Sequence, residues 1–265
     1  MALAMYRLAR LWLVLGVLGL GTLGAAAAWT HDRYGSTRTR AAGLAQARQS
    51  LSGELAALGL RLGAPVFIRI FKQSRELEVW LRHGAEGAWE LFRSYPICNF
   101  SGDLGPKLRE GDRQSPEGIY RVSRSALRPN SSYHLAFDLG YPNLYDRTHG
   151  RSGSRLMVHG KCASRGCYAM TDGMMDEIYG LASAALANGQ DAFQVQAYPF
   201  RMTERRLRRY EGTQWYDFWR NLKEGYDHFE QTHMPLSFNI HNRRYAFETD
   251  LARDDTPVGP RFAQQ

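Results

Sequence analysis

Leu156-Met157-Val158-His159-Gly160-Lys161-Cys162-Ala163-Ser164-Arg165-Gly166-Cys167-Tyr168-Ala169-Met170-Thr171-Asp172 is the most informative stretch of this chain. His159 closes an apolar, strand-like run, and Cys167 sits in a small-residue turn just before a segment patterned as a helix. That is the layout of a thiol nucleophile with a general base. A thiol attacks as thiolate, and its unperturbed pKa of about 8.5 calls for a neighbour that takes the proton. Gly166 lets the backbone approach a substrate closely, and amides near Gly166 and Cys167 can face an oxyanion. Two other readings stand beside this one. His159, Cys162 and Cys167 are zinc-ligand types, although the gap between the cysteines is long and no fourth ligand is evident. His149, also followed by glycine, is a rival base, but its neighbours Asp146, Arg147 and Arg151 suggest a loop.

The segment resembles the catalytic signature of the L,D-transpeptidase (YkuD) family, in which His-Gly is followed by Ser-x-Gly-Cys. His159-Gly160 match its start, and Ser164, Gly166 and Cys167 its end. Upstream, Ser115-Pro116-Glu117-Gly118-Ile119-Tyr120 is similar to the family's Thr-Pro-x-Gly-x-Phe element. Further pieces resemble the YafK-like branch. They are Cys98-Asn99-Phe100-Ser101-Gly102 with Leu104-Gly105-Pro106-Lys107, then Tyr141-Pro142-Asn143-Leu144-Tyr145-Asp146, then Gly166-Cys167-Tyr168-Ala169-Met170-Thr171-Asp172. Two positions depart from the family. A histidine usual before Gly-Cys is Arg165 here, and an arginine usual two residues after the cysteine is Ala169.

The resemblance implies an α+β fold, mostly antiparallel β-structure with flanking helices. It also implies a peptidoglycan stem peptide as substrate, attacked at the carbonyl on the L-centre of meso-diaminopimelate. Cys167 would be the nucleophile and His159 the base; Gly166, Tyr168, Gly160, Ser164 and Arg165 would form the oxyanion and substrate-binding shell, with Tyr168 lining the cleft. No cofactor and no metal is expected. The departures favour an amidase that releases covalently bound lipoprotein, with Arg165 placed to meet a stem-peptide carboxylate. The alternatives are a transpeptidase making 3–3 cross-links or attaching lipoprotein, and a catalytically silent peptidoglycan-binding module.

The chain of 265 residues carries a net charge of +8, which suits an anionic polymer or a membrane surface. No nucleic-acid motif accompanies that charge, and basic residues cluster only at Arg205, Arg206, Arg208 and Arg209, read as a solvated helix face. Arg7 and Arg10, the apolar residues 11–23 and the alanines at 25–28 read as an export signal in residues 1–28, cleaved near Ala27 or Ala28. The apolar run continues to Trp29, so an uncleaved inner-membrane anchor is the alternative; either way the expected location is the periplasm. The 3 cysteines are an odd number, so one stays free unless chains pair. A Cys98–Cys162 disulfide would leave Cys167 free; otherwise Cys98 is a small buried hydrophobe.

Residues 29–63 read as a polar tether and a packing helix, with Leu44, Leu51, Leu55, Leu58 and Leu62 on one face. Residues 64–200 form the catalytic domain: three strands in a meander from Val66, a long loop over 99–118, two short strands, the active turn, a helix over 173–188 and a final strand. Residues 201–247 read as a helical extension, with Trp215, Trp219, Leu222, Tyr226 and Phe229 on a packing face or, less plainly, a sugar-binding one. Residues 248–265 read as a disordered tail.

Overall fold

A computed structural model of the protein describes residues 39–84 and 87–248. The export signal, most of the tether and the tail lie outside the described residues. The chain divides into two compact units, residues 1–46 and 47–265. In the first, the described residues 39–46 are helical, and helix α1 runs over 39–57. The helix ends earlier than the leucine spacing suggests. Gly59 takes φ +69°, Leu60 N donates to Leu55 O (2.8 Å) and Gly59 N to Ala56 O (3.1 Å), which closes the last turn. Leu51, Leu55 and Leu60 are therefore buried, while Leu58 is left 52% exposed.

The strands follow as β1 (Val66–Phe71), β2 (Glu76–Arg82), β3 (Trp89–Pro96), β4 (Gly118–Ser123), β5 (Leu127–Ser131) and β6 (His134–Asp138). Helix α2 (Leu144–Thr148), β7 (Met157–His159), β8 (Tyr168–Ala169), α3 (Asp172–Ala187) and β9 (Ala192–Tyr198) complete the catalytic region. One sheet has the order β3-β2-β1-β9-β4, a second β5-β6-β7-β8. Only β1/β9 and β7/β8 pair in parallel, so the structure is the mostly antiparallel α+β arrangement expected. Every residue of β1 is buried, because the sheet is covered on both faces. Alternation sends Phe67, Arg69 and Phe71 towards helix α5 (Tyr216–Thr232), where Phe67 meets Phe229 at 4.9 Å between ring centres and the Arg69 guanidinium lies 4.8 Å from the Tyr226 ring. Helix α3 packs against β6 and touches β1 and β9. Its N-terminus is capped by Thr171, whose hydroxyl accepts from Met174 N.

The C-terminal region is not purely helical. After α4 (Glu204–Leu207) and α5, β10 (Ser237–His241) and β11 (Arg244–Glu248) form a hairpin of their own. Trp219, Leu222, Tyr226 and Phe229 are buried and Trp215 is half-buried, so the aromatic stripe is chiefly a packing face.

A buried ion pair joins the end of β1 to the start of β4. Lys72 and Glu117, both fully buried, lie 3.0 Å apart. The same Glu117 oxygen accepts from Gly105 N (2.8 Å), and its other oxygen accepts from the Trp219 indole (2.8 Å). Lys72 also donates to the Gly105 carbonyl (2.8 Å). Burial lowers the Lys72 pKa although Glu117 pulls it the other way. Replacing one partner strands the other charge, which costs about 3–5 kcal/mol. Glu117→Gln is expected to lower the urea-unfolding free energy by about that amount; a loss below about 1 kcal/mol, the range of an exposed pair, would contradict this role.

Candidate active site

The register of β7 and β8 brings the two reactive residues together. Val158 pairs with Tyr168 and His159 with Ala169. Side chains alternate along a strand, so Cys167 projects from the same face as Ala169, and hence as His159. Both line one cleft of about 870 Å³, whose opposite wall is Leu127 to Tyr133. His149 lies elsewhere: it follows α2, where its Nδ1 is 3.0 Å from the Tyr145 carbonyl and its ring stacks on Tyr145.

The His159 tautomer follows from its contacts. Nδ1 lies 2.6 Å from the Gly160 carbonyl, which can only accept, so Nδ1 carries the proton and Nε2 is left as the basic atom. Burial pushes the imidazole below its ordinary 6.5, against the effect of that hydrogen bond. Tyr133 packs on the ring, with centres 4.7 Å apart. The Cys167 thiol donates to the Arg155 carbonyl at 3.6 Å and receives Met157 N–H at 3.4 Å. Burial raises its pKa more than the Met157 amide lowers it, and Asp138 raises it further. Both shifts disfavour the charged forms of the two groups.

The turn carrying Cys167 is held from several sides. Cys98 and Cys162 form a disulfide with Cα atoms 5.3 Å apart, leaving Cys167 as the free cysteine among the described residues. Cys162 sulfur is thus committed to Cys98 and is not a zinc ligand. Ser164 donates to the Cys167 carbonyl at 2.7 Å, as does Ser115 at 3.2 Å. Asn99 and Ala169 exchange two backbone hydrogen bonds, of 3.0 and 2.7 Å, which lays the 99–117 loop along β8. Lys161 N donates to Asp172 Oδ1 (2.7 Å), tying the start of the turn to α3.

The expected shell divides into two groups. Ser164 and Arg165 line the cleft with His159 and Cys167. Gly160, Gly166 and Tyr168 do not. Tyr168 is fully buried and donates to the Pro116 carbonyl at 2.6 Å, because alternation sends it to the face opposite Cys167. Gly166 serves the turn: at φ +130° an added Cβ would also lie 3.2 Å from Leu156, and its N–H donates to Ser164 Oγ at 3.2 Å. Gly160 leaves no room either, since a Cβ there would lie 2.6 Å from Asp172 Oδ1. Sequence reading missed Arg128, Tyr133, Arg155 and Met157, which line the cleft from other segments. Ser115 was available within the quoted Ser115-Pro116-Glu117-Gly118 element, without a role.

Residues 66–195 match the L,D-transpeptidase catalytic domain family, YkuD. The chain belongs to this family. It is 47% identical over 193 residues to the protein named "Putative L,D-transpeptidase YafK" in Escherichia coli (strain K12), a match covering 73% of this chain and 78% of that protein. The protein of the same name from Escherichia coli O157:H7 matches equally. Among solved structures, the helical cell shape determining protein Pgp2 from Campylobacter jejuni is 22% identical with a TM-score of 0.40, over 54% of this chain and 53% of that one. Bd1075 of Bdellovibrio bacteriovorus is 24% identical with a TM-score of 0.36, over 52% and 49%. The chain spans about half the length of these two solved proteins.

The pKa directions set the expected pH behaviour. A base acts when neutral, and His159 is held below its ordinary value. Activity, measured as kcat/KM, should persist below pH 6.5 and fall only as pH drops through the depressed His159 pKa. Alkylation of resting Cys167 should titrate above the range of an exposed cysteine, since burial raises its pKa. A thiol fully reactive at pH 6 would contradict the raised thiol pKa.

Proposed function

We propose that this protein is an exported cysteine amidase that acts on peptidoglycan stem peptides at meso-diaminopimelate and releases covalently bound lipoprotein. The observation that carries the reading is the free Cys167 thiol sharing a cleft with a His159 whose Nδ1 is occupied by a backbone carbonyl. In acylation, His159 Nε2 takes the thiol proton as Sγ attacks the scissile carbonyl carbon. The oxyanion forms against the Cys167 amide. Collapse expels the amine, which receives the proton from Nε2, and leaves a thioester. Water then attacks, gives a proton to Nε2, and the second collapse releases the carboxylic acid and restores the thiol.

The departures from the family pattern support hydrolysis over synthesis. A guanidinium at position 169 would project from the face that carries His159 and Cys167, and Ala169 removes that fork beside the thioester. Synthesis needs an acceptor amine held against the thioester and water kept out; hydrolysis needs only water. The Cys98–Cys162 disulfide supports an oxidising compartment, here the periplasm, in keeping with the export signal read at the N-terminus.

Incubation of the purified protein with lipoprotein-bearing sacculi, followed by mass spectrometry, tests the reading. Release of lipoprotein is expected, with little new 3–3 cross-link. Cys167→Ala should abolish release while leaving the fold intact, and His159→Ala should slow it about 10²- to 10⁴-fold. His149→Ala should have little effect. Accumulation of 3–3 dimers without released lipoprotein would make transpeptidation the function.

A further inference from the structure

The charge lining the cleft is one-sided. Arg128, Arg155 and Arg165 line it, and no aspartate or glutamate does among the described residues. Several arginines elsewhere sit in ion pairs, among them Arg69 with Glu230, Arg151 with Asp146 and Arg201 with Glu76 and Glu78. Arg155 and Arg165 are exposed, and no ion pair engages either among the described residues. Their positions follow from the backbone around the nucleophile. The Arg155 carbonyl accepts the Cys167 thiol, and its own φ of +53° turns the chain into β7. Arg165 stands in the turn that Ser164 braces against the Cys167 carbonyl. Arg128 lines the cleft from β5, where its Nη1 donates to the Ser125 carbonyl at 2.5 Å and the Leu127 carbonyl at 3.0 Å.

A guanidinium is a planar fork suited to a carboxylate, and two flanking one nucleophile favour an anionic group near the scissile bond. Meso-diaminopimelate has two carboxyl groups. If the one on its L-centre is attacked, the one on its D-centre remains as the anion. We propose that Arg155 and Arg165, with Arg128 opposite, form a carboxylate subsite that selects acyl donors whose diaminopimelate side chain ends in a free carboxylate over donors in which that group is amidated. The proposal rests on the acyl-transfer reading above and specifies its substrate.

The test follows acylation alone, so it does not depend on whether water or an amine resolves the thioester. Disaccharide tetrapeptides carrying diaminopimelate either as the free acid or as the side-chain amide are mixed with the purified protein. Formation of the Cys167 acyl-enzyme is timed by intact-protein mass spectrometry. A charge-assisted hydrogen bond lost to the amide is expected to give the acid an advantage of about 10- to 100-fold in acylation rate. Raised salt should shrink that ratio, and the Arg155→Gln/Arg165→Gln double variant should bring it close to one. Arg209→Gln, at an exposed position outside the cleft, should leave it unchanged. The wild-type comparison decides the matter even if the double variant folds poorly. Equal acylation by the two donors, or an undiminished ratio in a folded double variant, would overturn the carboxylate subsite alone. Absence of both acyl-enzyme and cleaved tetrapeptide with both donors would overturn the acyl-transfer reading itself.

Discussion

Lys72 and Glu117 meet inside the protein where no water can reach them, and four parts of the chain depend on that meeting. Lys72 follows β1, Glu117 precedes β4, Gly105 belongs to the long loop, and Trp219 stands on α5. Taking two charges out of water is costly, and the arrangement is tolerated because both carboxylate oxygens and the ammonium find several partners. From this knot the chain reaches the nucleophile in two residues. Ser115 hydrogen-bonds the Cys167 carbonyl, and Pro116 takes the hydroxyl of Tyr168. The Cys167 turn is thus held by contacts that lead back to a buried polar cluster.

The disulfide complements this from the opposite end of the same loop. Cys98 stands where the loop begins and Cys162 in the turn before the nucleophile, so the crosslink and the ion pair hold the loop at both ends. Closing a loop across a sequence separation of 64 is worth about 4 kcal/mol in the chain-entropy account.

The parts of this design legible in the sequence are those written in local pattern. The apolar runs of β1, β2 and β9, the cap of α3 at Thr171, and the adjacency of His159 and Cys167 all lie within short windows. Strand β5 escaped because it is largely polar and exposed, and pairing makes it a strand, whereas the clean alternation of Phe238 and Ile240 in β10 and of Tyr245 and Phe247 in β11 was legible and was passed over. The cleft wall from Leu127 to Tyr133 reaches His159 only because β6 pairs with β7, and no spacing within the active segment encodes that contact. Tyr168 is a different case. The alternation that brings Cys167 outward dictates that its neighbour turns inward, and that rule was available without coordinates.

The Nδ1 of His159 is held by a backbone carbonyl, and burial raises the pKa of the Cys167 thiol in the same cleft. Peroxide and other small electrophiles attack the thiolate form of cysteine, and the first steps of irreversible over-oxidation begin there. A raised thiol pKa lowers the fraction of Cys167 present as thiolate, and with it the exposure of this free cysteine to such oxidants.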